Sequence, residues 1–391
     1  MTTRKRISIL GSTGSIGLST LDIVARRAGD LEVVALASRS DFRGILDQAR
    51  RFRPKVVALF DDQAAADAKK GLEGAGIEVL CGAQGILEAA SLPDADIVVS
   101  SVVGAAGIMP TYAAVQAGKV VALANKEALV SAGAVITAEA ERRGARILPI
   151  DSEHSAVFQV LMGQDRKALR KLVLTASGGP FFGKGPGILE EVTPEMALDH
   201  PQWKMGPKVT VDSATMMNKG LEVIEAHWLF GLPGDRIEVL IHPQSIVHSM
   251  VEFIDGSILA QMGVTDMRLP IAFALGYPER MDLPFDPLDL AEARKLEFFR
   301  PDFDLFPCLG LAYDALRRGG GVPASMNAAN EEAVDAFLAG RLPFKEIAGV
   351  VKAVMDRAPA IDDTDLSEVL KCDRWARQAA GEIMLSFGGA A

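Results

Sequence analysis

The stretch Ile7-Ser-Ile-Leu10-Gly11-Ser12-Thr13-Gly14-Ser15-Ile16-Gly17 decides the fold. A short β-branched run ends in closely spaced glycines, and from Leu18 to Ala28 the apolar residues recur at helical spacing. Strand, glycine-rich turn and helix in that order suit a dinucleotide: the glycines let the backbone approach a pyrophosphate, and free N–H groups at the helix start favour its charge. A glycine-rich turn alone also occurs where nothing binds. Its place between strand and helix carries the reading.

Outward from this turn the same rhythm repeats. Glu32–Ala37, Lys55–Leu59, Ile77–Leu80, Ile97–Val103, Lys119–Ala122 and Arg146–Pro149 are further short apolar runs, each separated from the next by a helical segment. This predicts an α/β chain whose residues 1–150 form a Rossmann-type, doubly wound parallel sheet. After the second strand, where an acidic residue would bind a ribose 2′-hydroxyl, stand Ser38, Arg39 and Ser40. An Arg between hydroxyls suits a 2′-phosphate and hence NADPH over NADH; the competing reading is a surface Arg opening the next helix. Gly104-Ala105-Ala-Gly107 and Ala124-Asn125-Lys126-Glu127 follow the fifth and sixth strands, at the carboxyl ends where open α/β sheets bind ligands.

The seventh strand runs into Asp151-Ser152-Glu153-His154. In an extended segment Asp151 and Glu153 project to one side. A third carboxylate lies in Val211-Asp212-Ser213-Ala-Thr-Met-Met-Asn218-Lys219-Gly-Leu-Glu222, read as a strand end passing through an Asp212 or Ser213 cap into a helix. Met217, Leu221, Ile224 and Trp228 form one stripe, while Asn218, Lys219 and Glu222 load another face. As an isolated helix that face is equally a solvated one. Beside a helix start, however, Ser213, Asn218 and Lys219 can aim donors at one anion, and Glu222 can complete an oxygen site with Asp151 and Glu153 for Mg²⁺ or Mn²⁺. His154 reads as a softer ligand or, beside Val157, Phe158 and Leu161, as a cap or core residue.

Leu172–Phe181 is a strand entering the turn Ser177-Gly-Gly-Pro, which can offer N–H donors to phosphate. His200-Pro-Gln-Trp203-Lys-Met205-Gly206 suits a lid or, equally, an anchored surface loop. Ile237–Ile241, Ile246–Ile254 and Ser257–Met262 read as strands, the last two a hairpin through Asp255-Gly256. These segments make residues 151–285 a second α/β domain. Proline and charge mark 286–310 as a linker, and helical periodicity over 311–391 predicts a small C-terminal bundle, with Asn327 and Asn330-Glu331-Glu332 as polar caps.

Composition narrows the function. The chain has 391 residues, 49% of them hydrophobic, and a net charge of −10, which argues against nucleic acid or an anionic membrane as the main partner. Three widely spaced cysteines without a C-x-x-C pair argue for a reducing, cytoplasmic setting. Ile7–Leu10 is too short for a signal-peptide core, and Ile97–Gly118 is better explained as strand, turn and helix than as a membrane span.

The motifs GSTGSIG (11–17), VVGAAG (102–107), ANKE (124–127), DSEH (151–154), SGGPF (177–181), HPQWKMG (200–206), DSATMMNKGLE (212–222) and HPQS (242–245) together resemble the 1-deoxy-D-xylulose 5-phosphate reductoisomerases. The resemblance implies NADPH and a divalent metal, Mg²⁺ or Mn²⁺ with Co²⁺ an option, converting the phosphorylated ketose to 2-C-methyl-D-erythritol 4-phosphate in non-mevalonate isoprenoid synthesis. It makes Asp151, Glu153 and Glu222 metal ligands and catalytic residues together with Lys126. Ser177, Ser213, Asn218 and Lys219, helped by His200, would bind the substrate phosphate; Lys126 and Ser152 would face reacting oxygens. Trp203 and Met205 would belong to a lid and His248 would line the pocket. Gly11 to Gly17, Ser38, Arg39, Ser40, Ala105, Asn125, Glu127 and Gly206 would contact the cofactor, and a homodimer is expected. Two departures stand out: Ser38-Arg39-Ser40 where the family has Gly-Arg-Asn or Gly-Lys-Asn, and Ala176 where it has Gly. The competing functions are an NADPH-dependent reductase for another phosphosugar or an aspartate-derived aldehyde, and a dinucleotide-binding regulator that senses a phosphosugar. The carboxylate triad argues against the sensor, because binding alone rarely needs an open metal position.

Overall fold

The computed structural model describes residues 4–203 and 205–388. The chain divides into two compact units, the first formed by Met1–Ala128, Ile136–Ser155 and Asp266–Phe285, the second by Leu129–Val135, Ala156–Thr265 and Asp286–Ala391.

In the first unit the strands β1 (Lys5–Leu10), β2 (Leu31–Ser38), β3 (Val56–Leu59), β4 (Glu78–Cys81), β5 (Ile97–Ser100), β6 (Val120–Leu123) and β7 (Arg146–Pro149) form one sheet in the order β4-β3-β2-β1-β5-β6-β7. Every pairing is parallel. Helices α1 (Ser15–Arg26), α2 (Phe42–Phe52), α3 (Asp62–Gly71), α4 (Gly82–Ser91), α5 (Ile108–Gln116) and α6 (Lys126–Arg143) alternate with the strands. Ile7, Ile9, Leu36, Val57, Leu59, Val99 and Leu123 are wholly buried, as expected where helices cover both faces of a parallel sheet. The strand order reverses between β1 and β5, so the turns after these two strands flank the switch point where such sheets bind ligands.

Helix α6 breaks at Ala132, whose backbone (φ −129°, ψ 28°) is not helical. The next residue, Gly133, has no room for a side chain: a Cβ there would lie 2.3 Å from the Trp228 indole. After β7 comes α7 (Ser152–Leu161), so the expected extended geometry of Asp151 to Glu153 is corrected. Asp151 precedes the helix, its carboxylate accepting the Ser152 N–H at 3.1 Å, and Glu153 stands in the first helical turn.

The second unit carries a four-stranded sheet, β11-β10-β8-β9, from β8 (Leu169–Ala176), β9 (Ile237–Ile241), β10 (Val247–Phe253) and β11 (Ile258–Met262). β8 and β9 are parallel; β10 pairs antiparallel with β8 and with β11, its hairpin partner. Between β8 and β9 lie α8 (Pro194–Leu198), α9 (Pro207–Ala214) and α10 (Met217–Phe230). The chain then passes through α11 (Arg268–Gly276) of the first unit, where the Lys5 ammonium donates to the last carbonyls, those of Leu275, Gly276 and Tyr277. Helices α12 (Leu290–Ala293), α13 (Pro307–Arg318), α14 (Val322–Leu338), α15 (Ile347–Met355) and α16 (Leu366–Gly388) follow. Leu221 and Ile224 of α10, Leu309 of α13, Met326 and Phe337 of α14 and Val350 of α15 share one core with the sheet.

The expectation of a strand end at Val211 is corrected: Val211 to Ala214 close helix α9, which Pro207 opens at its first turn. Helix α10 starts only at Met217, after Met216 in the left-handed region (φ 61°), whose own side chain makes no capping bond. Asn327 and Asn330 are likewise not caps; both lie inside α14 and are fully buried.

Candidate functional site

The turn after β1 is shaped by backbone clearance. Gly11 has φ +83°, and a Cβ there would lie 2.7 Å from the Ser101 carbonyl oxygen; a Cβ at Gly17 would lie 2.4 Å from that of Gly11. No side chain caps α1 at Gly14, which leaves its first N–H groups to a ligand or water. Thr13, Gly14, Ser15 and Ile16 keep solvent access, whereas Ser12 is buried: its hydroxyl donates to Gln48 Oε1 at 2.7 Å, and Gln48 Nε2 returns a bond to its carbonyl. Thr13 Oγ1 lies 3.0 Å from Ser38 Oγ, joining the turn to the end of β2. Arg39 and Ser40 are exposed, and Asp41 caps α2, so Arg39 does not open that helix.

Asn125 holds the neighbouring turns. Its Nδ2 donates to the carbonyls of Val102 and Gly104 at 2.7 and 2.8 Å and to Glu127 Oε2 at 3.0 Å, while its Oδ1 caps α6 at Ala128 N–H. The structure thus gives Asn125 a scaffold role, and Ala105 is half-buried. Lys126, next in the chain, places its ammonium 2.7 Å from Asp151 Oδ2, with both side chains largely buried. Ser152 Oγ donates to the neighbouring Glu153 carboxylate.

In the second unit the turn after β8 is built from two glycines in the left-handed region, Gly178 (φ +87°) and Gly179 (φ +69°). A Cβ at Gly179 would lie 2.6 Å from the Ser213 carbonyl oxygen, so this turn sits directly on the end of α9. Phe181 anchors it, buried edge-on against Phe344, which meets Phe337 in turn at 5.5 Å. Ser177 Oγ accepts from Gly179 N–H at 3.2 Å and stands 3.0 Å from His200 Nε2. His200 Nδ1 accepts the backbone N–H groups of Gln202 (3.1 Å) and Trp203 (2.9 Å), which assigns the ring proton to Nε2. With both incoming bonds taken, the Ser177 hydroxyl proton is left to point at a ligand. Burial pushes the His200 ring below its ordinary value, so it acts as a neutral donor.

Helices α9 and α10 meet in a two-residue corner, Thr215-Met216, where Thr215 Oγ1 donates to the Asp212 carbonyl and accepts Met217 N–H. Beyond it Asn218 Nδ2 donates to Glu222 Oε1 at 2.5 Å, and the Lys219 ammonium pairs with Glu222 Oε2. Lys219 and Glu222 are 4% and 1% exposed, which removes the solvated-face reading of this helix. Ser213 and Asn218 are half-buried. His248 lies buried on β10, where its carbonyl accepts from Thr175 Oγ1; Trp203 and Met205 are half-buried and Gly206, at the start of α9, is exposed.

The HPQS motif is structural. His242 is fully buried and stacked on Phe298 at 4.6 Å, with Nδ1 bonded to the Glu297 carbonyl and Nε2 accepting Ile246 N–H. Lys208, which the sequence did not single out, and Asp212 and Asn330, expected as caps, are bonded together, Asp212 being next to Ser213 in the chain. Asn327 and Asn330, three apart among alanines, were the available signal.

Family models described as 1-deoxy-D-xylulose 5-phosphate reductoisomerase and its C-terminal domain match residues 7–133 and 147–230, and one described as DXP reductoisomerase C-terminal domain matches 262–379. A relative from Heliobacterium modesticaldum named 1-deoxy-D-xylulose 5-phosphate reductoisomerase is 54% identical over 380 residues, covering 97% of each chain. The chain belongs to the 1-deoxy-D-xylulose 5-phosphate reductoisomerase family. A reductoisomerase of the same name from Desulfosudis oleivorans is 52% identical over 97% of this chain and 100% of its own. The solved reductoisomerase from Zymomonas mobilis in complex with NADPH superposes with a TM-score of 0.91 at 43% identity, covering 98% of this chain and 99% of that one. A reductoisomerase solved with NADPH, fosmidomycin and magnesium gives 0.94 at 42% identity over 97% and 98%. Family membership removes the sensor, and it disfavours the reductase of related architecture acting on another phosphosugar or an aspartate-derived aldehyde.

Proposed function

We propose that this chain is an NADPH- and divalent-metal-dependent enzyme that converts 1-deoxy-D-xylulose 5-phosphate to 2-C-methyl-D-erythritol 4-phosphate by retro-aldol cleavage, re-addition and hydride reduction, in non-mevalonate isoprenoid synthesis. The observation that carries the reading beyond family membership is the donor cluster of the second unit: Ser177, oriented by Gly179 and His200, beside the Ser213 backbone at the corner that leads to Asn218 and Lys219. Such convergent donors suit a phosphate monoester.

The residues fit both partners that the family requires. Gly11 and Gly17 let the turn pack so closely on the Ser101, Gly11 and Ser12 backbone that no Cβ fits, and α1 begins uncapped, which suits a pyrophosphate at its first N–H groups. Asp151, Glu153 and Glu222 would hold the metal; these are hard oxygen donors suited to Mg²⁺ or Mn²⁺, with Co²⁺ an option. Bound there, the ion supplies Lewis-acid polarisation of substrate oxygens. Lys126 and Ser152 would face the reacting oxygens, and His248 would line the pocket. Trp203 and Met205 would close over the substrate, keeping water out while the fragments are held. Gly11 to Gly17, Ala105, Glu127 and Gly206 would line the cofactor path, Asn125 acting from behind, and Ser38, Arg39 and Ser40 would receive the 2′-phosphate.

We read residues 1–150 as the cofactor domain, 151–285 as the catalytic domain, 286–310 as a linker and 311–391 as a helical domain. A homodimer is supported by β11, an edge strand with Ile258 and Leu259 exposed and Ile254 exposed in the turn before it, an arrangement that invites pairing with a second copy. Light scattering tests it. A cytoplasmic setting is supported by three free cysteines, two of them buried. No described helix is long and apolar enough to cross a membrane. The activity is tested by following NADPH oxidation with 1-deoxy-D-xylulose 5-phosphate, other phosphosugars and an aspartate-derived aldehyde. Turnover confined to the first, with the branched polyol phosphate as product, is expected; equal turnover of any other substrate overturns the assignment.

A further inference from the structure

Asp212 lies in the last turn of α9, one residue before Ser213, with its carboxylate almost wholly buried. Two groups reach it. Lys208, one turn earlier on α9, places Nζ 2.9 Å from Oδ2, and Asn330, from the middle of α14, donates Nδ2 to Oδ1 at 2.8 Å. Asn330 is fully buried, and a neutral amide inside an alanine-rich helix face costs desolvation unless it serves a partner. The surroundings are dry: the Cys308 thiol is pushed up to about 12, first by burial and then by the charge of Asp212. Lys208 balances that charge.

Helix α9 has eight residues and no side-chain cap at its start, so its own turns hold it weakly. What fixes its last turn is the bond to Asn330 on one side and the Gly178-Gly179 turn on the other, where the Ser213 carbonyl leaves no space for a Cβ. The corner that follows depends on the same residue, because the Asp212 carbonyl accepts from Thr215 Oγ1, which in turn receives Met217 N–H at the start of α10. A second network secures α14 itself: Asn327 donates to Glu331, and Arg377 of α16 pairs with Glu331, Glu332 and Asp373.

We propose that Asn330 and Asp212 are positioning residues through which the C-terminal helices set the place of Ser213 and of the α9–α10 corner, and so the affinity for the substrate phosphate. Neither residue touches substrate. The inference rests on the reading of Ser213 as a phosphate contact.

The test uses the full chain with NADPH and Mg²⁺, reading KM for 1-deoxy-D-xylulose 5-phosphate, the inhibition constant of inorganic phosphate, and KM for NADPH. Asn330→Leu should raise the first two together by about 3- to 30-fold, the range seen when coupling through a packed network is disturbed, and leave the third unchanged. Should that variant not fold, Asn330→Ser replaces it. The exchange Asp212→Asn with Asn330→Asp restores a donor and an acceptor to the pair and keeps an acceptor for Lys208, so it should recover phosphate affinity relative to Asn330→Leu. Loss of thermal stability with unchanged phosphate inhibition, an equal rise in KM for NADPH, or failure of the folded exchange variant to recover affinity overturns the inference. Ser213→Ala separates the two levels. If it leaves phosphate inhibition intact, the phosphate reading of Ser213 falls and the inference with it; if it weakens inhibition while the Asn330 variants do not, only the inference falls.

Discussion

Ser177 and His200 form a directed pair: the hydroxyl oxygen of one stands 3.0 Å from Nε2 of the other, and the far nitrogen of the same imidazole is occupied by the backbone amides of Gln202 and Trp203. One ring therefore joins the glycine turn after β8 to the loop that carries Trp203. Movement of that loop changes how the Ser177 hydroxyl is oriented, which gives a proposed lid a direct mechanical connection to the phosphate it would cover.

The pair predicts a pH response. Burial lowers the His200 pKa from 6.5, so the native ring takes up its proton at lower pH than an exposed one. The stabilisation from the neutral ring is fully present above pH 6.5 and declines as pH falls below it toward the lowered native value, because the unfolded or opened loop protonates first. Nitrogen NMR should find the Nε2-protonated tautomer and a midpoint below 6.5. A proton on Nδ1 at neutral pH would contradict the assignment.

Arg39 tests cofactor choice. A guanidinium that pairs with the 2′-phosphate contributes on the order of 1.5–3 kcal/mol, or roughly 10–150-fold in affinity, and less at high salt because the residue is exposed. Arg39→Ala should raise KM for NADPH and leave that for NADH nearly unchanged, with Ser40→Ala giving a smaller shift. Equal losses for both cofactors would make Arg39 a support of its loop.

Gly133 sets two effects against each other. On helix propensity alone, Gly133→Ala should stabilise by about 0.5–1 kcal/mol. The new Cβ, however, would lie 2.3 Å from the Trp228 indole, and overpacking of that kind costs about 1–3 kcal/mol. The steric term is the larger. Thermal melting should show a lower midpoint for Gly133→Ala; a midpoint at or above that of the parent would mean that the indole moves aside freely.

The first unit was legible in the sequence because fully buried parallel strands read as β-branched runs; β7 occupies the residues expected and β1 differs by two at its start. The second unit was harder. Val209-Thr-Val211 has strand propensity, yet it forms helix α9 because Pro207 opens a helix there and Thr210, Val211 and Ala214 pack in the core. Asp151 and Glu153 looked extended because the strand signal before them does not announce where α7 begins. The polar face of α10 matched a solvated helix residue for residue; only tertiary burial distinguishes them. Asn330 looked like a cap because its partner lies 118 positions earlier, a separation that local periodicity cannot register.

Asp151, Glu153 and Glu222 are the proposed ligands of the divalent metal needed for turnover. Calorimetric titration of Mg²⁺ or Mn²⁺, with NADPH and substrate analogue present, into the parent and into Asp151→Asn, Glu153→Gln and Glu222→Gln tests it most directly. Each variant should bind metal much more weakly and lose turnover, while NADPH still binds as in the parent because the Gly11 to Gly17 turn is untouched. Unchanged metal affinity in the three variants would remove these carboxylates from the metal site.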